Sequence, residues 1–94
     1  MEVNLSSRVS VPESVLFREL GDESVLLNLD SERYFGLDDV GTRMFAVMSG
    51  ADSLQAACET LSAEYGVPVE TIQHDLTELV DKLVARGLLA LENR

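Results

Sequence analysis

Hydrophobic side chains alternate through the first third of the chain and recur at helical spacing through the rest. Val9, Val11, Val15, Phe17 and then Val25, Leu27, Leu29 fall on every second position, which puts them on one side of extended strands. Gly21-Asp22-Glu23 and Asp30-Ser31-Glu32 interrupt the pattern with residues that favour turns. The spacing predicts strands near 15–20, 24–29 and 33–37. Connections this short suit an antiparallel meander whose first and third strands are sheet edges.

From Asp38 onward the period becomes helical. Asp38 or Asp39 caps a first helix running through Met48, with Val40, Met44, Val47 and Met48 on one face and Ser49-Gly50 at its end. A second helix starts at Asp52 or Ser53, carries Leu54, Ala57, Cys58, Leu61 and Tyr65 as a stripe, and closes at Gly66. The third begins around Pro68, shows Val69, Ile72, Leu76, Leu79, Val80 and Leu83 on a broad stripe, and stops at Gly87 after Arg86. Leu88-Leu89-Ala90-Leu91 returns as a short strand or tail. The order βββααα gives an α+β fold, a three-stranded antiparallel sheet followed by three helices, with a winged helix-turn-helix as structural relative. Residues 1–12 are the candidate for a loosely attached arm on a 13–94 domain.

At 94 residues the chain makes one domain, and its 46% hydrophobic content fills one modest core. Seventeen acidic against seven basic residues give a net charge of −10, which opposes binding to DNA, RNA or anionic lipid. A reading helix for DNA is excluded on the same ground, since Glu70, Asp75, Glu78 and Asp81 outweigh Lys82 and Arg86 on the third helix. Cys58 has no partner for an internal disulfide, no run is long enough to span a membrane, and no signal layout is present, which together point to a cytoplasmic protein.

One His and one Cys supply neither a zinc ligand set nor a base for a nucleophilic triad, and the carboxylates are spread over turns, caps and exposed helix positions. The expectation is a binding protein with no catalytic residue, metal or cofactor. Asp52-Ser53-Leu54 matches the site at which acyl and peptidyl carrier proteins receive phosphopantetheine on serine. The plainer reading of Ser53 is an N-cap, because carriers are all-helical and three strand-like segments come first here.

The segment Arg33-Tyr34-Phe35-Gly36-Leu37 is a short β-prone edge that offers backbone groups to another chain, and the third helix beside it has more apolar surface than one packing face needs. A peptide could add as a strand there, and so could a second copy of the domain.

The run from Ser24 to Phe45, with a hydrophobic strand, a turn, Arg33-Tyr34-Phe35, Leu37-Asp38 and then Gly41-Thr42, resembles PqqD-like proteins. Asp75-Leu76 on the last helix and Gly87-Leu88-Leu89 after it match the closing pattern of that family, and the resemblance covers residues 15–91. It implies a recognition element for ribosomally synthesised and post-translationally modified peptides (RiPPs), which binds a precursor's leader along the third strand and against the third helix. Carried over by position, Arg33, Tyr34, Phe35, Gly36 and Leu37 supply the main-chain ladder, and Asp75, Leu79, Lys82 and Leu83 line side-chain pockets. The implied partners are the leader peptide and a modifying enzyme: a leader peptidase with a cyclase, as in lasso peptide clusters, or a radical enzyme, as in pyrroloquinoline quinone synthesis. The lasso type is the preferred reading.

Overall fold

The computed structural model describes residues 3–92. Its elements are β1 (Arg8–Ser10), β2 (Val15–Leu20), β3 (Glu23–Asn28), β4 (Arg33–Leu37), α1 (Asp39–Gly50), α2 (Leu54–Tyr65), α3 (Val69–Ala85) and β5 (Ala90–Glu92). Strands β2, β3 and β4 form an antiparallel meander, and β1 pairs with β5 in a separate two-stranded sheet. Among the described residues no helix is long and apolar enough to cross a membrane.

Each boundary has a local cause. Gly21, at φ +70° and with no other positive φ in the turn, makes the two-residue β2–β3 connection a type II′ hairpin. Asp38 caps α1 by accepting a hydrogen bond from the Gly41 N–H at 2.8 Å, and Ser53 caps α2 by accepting one from the Ala56 N–H at 3.1 Å. Gly66 closes α2 in the left-handed region at φ 67°. The Ser53 hydroxyl is thus engaged as a cap behind a meander of strands, an arrangement foreign to an all-helical carrier protein.

The buried face of β3 differs from the one its alternating Val25, Leu27 and Leu29 suggest. Pairing puts Val15 opposite Asn28, Phe17 opposite Leu26 and Leu26 opposite Phe35, so Ser24, Leu26 and Asn28 face the helices. The sequence masks this because Val25-Leu26-Leu27 is apolar on both faces while Ser24 and Asn28 are polar. Both are buried because both are bonded: Ser24 Oγ and Thr42 Oγ1 are 2.7 Å apart, and the Asn28 amide joins the next turn to the end of α3. Phe17 stacks on Phe45 of α1 with ring centroids 4.7 Å apart. The outer face is left with Leu16, Val25, Leu27 and Tyr34, the last 76% exposed.

The core joins Leu26 to Met44, Phe45 and Met48 of α1, Leu54, Cys58 and Leu61 of α2, and Ile72, Leu76, Val80 and Leu83 of α3. Val40 and Tyr65, which the helical pattern assigns to apolar faces, are exposed. Burial, with a smaller contribution from Glu59, pushes the Cys58 thiol above its ordinary pKa, so the side chain behaves as a packed apolar group. Arg43 on α1 grips Glu64 on α2 through two bonds of 2.8 and 2.7 Å, which hold the Glu64 carboxyl below its usual range.

The expectation of a loose arm does not hold for the described part of 1–12. Leu54 N–H donates to Ser7 O at 2.8 Å and Gln55 N–H to Leu5 O at 2.9 Å, so the arm's carbonyls satisfy the first donors of α2. Val9 is 3% exposed, and β1 pairs with β5 from Arg8↔Glu92 to Ser10↔Ala90. The short strand or tail expected after Gly87 is β5, whereas β1, at three residues, gives too little alternation to be predicted as a strand of its own. Residues 1–2 of the expected arm lie outside the described residues.

Gly87 is the hinge between α3 and the last strand. Its φ is +70°, and a Cβ there would meet Asn28 Nδ2 at 3.2 Å while that amide donates to the Gly87 carbonyl at 3.3 Å. Gly87→Ala is expected to cost about 1–2 kcal/mol from the left-handed backbone alone, read as a lower urea midpoint at unchanged slope.

Candidate peptide-binding edge

Strand β4 lies at the edge of the meander, and which of its backbone groups are free follows from β3. Leu29 N–H donates to Ser14 O at 2.8 Å, one position past the Val15↔Asn28 pair. Hydrogen-bonded and non-bonded pairs alternate along an antiparallel ladder, so Glu23, Val25 and Leu27 bond to β2. A middle strand turns its other residues to its other neighbour. Ser24, Leu26 and Asn28 therefore bond to Leu37, Phe35 and Arg33. The N–H and C=O groups of Tyr34 and Gly36 are left pointing away from the sheet, two residues apart, as a ready template for another strand.

The flank of α3 beside this edge is identified by one contact. At about 100° per residue, Asp75, Leu79, Lys82 and Arg86 share a flank next to the buried stripe. On the opposite flank Gln73 Nε2 donates to Gln55 Oε1 of α2 at 3.0 Å. The Arg86 guanidinium carbon sits 5.2 Å from the centroid of the Phe35 ring, so the Asp75–Arg86 flank is the one turned toward β4. Asp75 and Lys82 are exposed and Leu79 is half-buried. Leu83 is fully buried and belongs to the core stripe, unlike the pocket-lining side chain expected from sequence. Leu37 also turns its side chain into the core, at 5% exposure.

Glu32, Arg33, Tyr34, Arg86 and Leu88 line a depression of about 400 Å³ where the start of β4 meets the end of α3. Arg86 is the lining residue of this depression that sequence reasoning passes over, because it stands where the helix stops. The signal available was its spacing, four residues from Lys82 and seven from Leu79.

The arrangement brings together an unpaired strand edge, a half-apolar helix flank and three basic side chains. It suits capture of an extended peptide. A family model described as "Coenzyme PQQ synthesis protein D (PqqD)" matches residues 23–89, a span that runs from β3 through Gly87-Leu88-Leu89 and omits β1 and β2. A solved structure, "TbiB1 in Complex with the TbiA(beta) Leader Peptide", is similar with a TM-score of 0.78 and 31% sequence identity, covering 85% of this chain and 93% of that one. No curated protein sequence matches the chain.

Proposed function

The chain belongs to the PqqD family, and from that premise we propose that it binds the leader of a ribosomally synthesised precursor peptide by strand addition and presents it to modifying enzymes. The observation that carries this reading is the outward-facing N–H and C=O groups of Tyr34 and Gly36 beside the Leu79–Arg86 flank of α3. The similar TbiB1 was solved with a leader peptide, which supports the same ligand class here.

In this reading the backbone of Tyr34 and Gly36 bonds the leader, while Arg33, Phe35 and Leu37 hold β4 to β3. Leu79 meets an apolar leader side chain, and Asp75 and Lys82 flank it. Residues 13–94 form the recognition domain and act in the cytoplasm, where the precursor is made. The domain contributes binding and no bond making. Tethering the leader near an enzyme raises the effective concentration of the core peptide to about the millimolar range with a short linker. A leader peptidase and cyclase of the lasso type are the preferred partners over a radical enzyme. A second copy at the β4 edge would compete with the leader.

The test is a nitrogen-15 amide titration with the leader of a precursor encoded beside this gene. Saturable shifts are expected at 33–37 and along Asp75, Leu79, Lys82 and Arg86. Absence of shifts with a leader that its own enzymes process would overturn leader capture.

A further inference from the structure

We propose that Arg33 and Arg86 form a carboxylate subsite at one end of the groove, which selects leaders carrying Asp or Glu two positions from an apolar residue. The inference rests on leader capture at the β4 edge and adds what that edge would select.

The first observation is where the positive charge stands. The chain has seventeen acidic and seven basic residues, so a cation with no role at a site has many carboxylates available to it. Arg8 lies 3.8 Å from Glu92 and Arg43 is bound to Glu64. Arg33 and Arg86 line the depression, with Lys82 one turn back on the same helix flank, and among the described residues none of the three is in an ion pair; Arg18, on the outer face of β2, is likewise unpaired but stands alone.

The second observation is that Arg86 is held in place. Its guanidinium lies over the Phe35 ring, and Nη1 donates to the Lys82 carbonyl at 3.1 Å. An arginine fixed in this way loses less side-chain freedom when its remaining donors take a carboxylate in the two-pronged geometry that suits it. Leu88, 2% exposed, contributes an apolar wall that weakens competition from water. Glu32 stands exposed at the rim, so the two arginines leave the depression net positive.

The third observation is register. Arg33 and Phe35 face the helix side of the sheet and Tyr34 and Gly36 the outer side. Residues of an added strand opposite Arg33 and Phe35 would also face the helix side, two positions apart. The one opposite Arg33 meets Arg33 and Arg86. Its neighbour meets the Phe35 side chain, which faces the helix side.

A randomised twelve-residue library displayed on phage, with each peptide's C-terminus fused so that no terminal carboxylate is free, is selected against the intact protein, Gly36→Pro and the double variant R33Q/R86Q. The intact protein is expected to enrich peptides with Asp or Glu at one position and an apolar residue two away, and Gly36→Pro to lose them. A Glu→Gln change in a selected synthetic peptide should weaken binding to the unaltered protein about tenfold or more, the range of a charged hydrogen-bonded contact, and leave binding to R33Q/R86Q unchanged. The peptide change reads the contact without relying on a folded variant. Gly36-dependent peptides with no acidic preference, or a preference that persists in R33Q/R86Q, overturn the subsite and leave leader capture standing. Enrichment of nothing, or only of peptides indifferent to Gly36→Pro, overturns both.

Discussion

Gly36→Pro is expected to reduce leader affinity by about a hundredfold while the domain stays folded. The Gly36 N–H is one of two backbone donors directed at the open edge, so proline removes it and sets a ring where the incoming strand must lie. A lost main-chain bond together with a carbonyl stranded on the leader costs about 2–4 kcal/mol. The free protein is spared because this residue makes no ladder bond to β3, stands on an edge strand, and a Cβ built on it meets nothing within 4 Å. Phe35→Pro should behave in the opposite way. Phe35 exchanges bonds with Leu26 in the middle of the ladder and lies under Arg86, so its replacement costs about 3 kcal/mol or more of stability. Titration calorimetry and thermal melts on both variants separate the two effects. Full-strength leader binding by Gly36→Pro would remove β4 as the site of strand addition.

Deleting residues 1–12 is expected to lower the unfolding free energy by about 3–5 kcal/mol, a large share of a small domain's stability. Burial of Val9 contributes about 1.5–3 kcal/mol, and the bonds from Leu54 and Gln55 to the arm's carbonyls add about 1 kcal/mol each. Strand β5 loses its partner as well, leaving the half-buried Leu91 without Val9 across from it. Chemical denaturation of the truncated protein measures the loss. An unchanged midpoint would return the arm to the loose status that its sequence suggested.

The helices and the meander could be read from sequence because their signals are local. Ser53, Gly66 and Asp38 act within one turn of themselves, and Gly21 fixes a two-residue hairpin without help from the rest of the chain. What escaped depends on distant partners. The buried face of β3 hinges on Thr42 and Gly87 arriving to satisfy Ser24 and Asn28, and an apolar count prefers Val25 and Leu27. The division of β4 into inward and outward residues is inherited from the β2–β3 turn through β3, so no feature of 33–37 alone displays it. Arg86 escaped for a different reason: a residue that ends a helix is naturally read as punctuation, and only Phe35 beneath it shows that it belongs to the groove.

The β1–β5 pairing also has a bearing on folding order. The hairpins and helix pairs close short loops, whereas joining Arg8 to Glu92 closes a loop of nearly the whole described chain. The entropy of closure rises with loop length, so this clasp is expected to form late in folding, after the local hairpins and helix pairs. The β4 edge pairs with β3, in a sheet separate from the clasp. Opening of the clasp alone would expose Val9 and Leu91 to proteases and hydrogen exchange, a signature distinct from any change at β4.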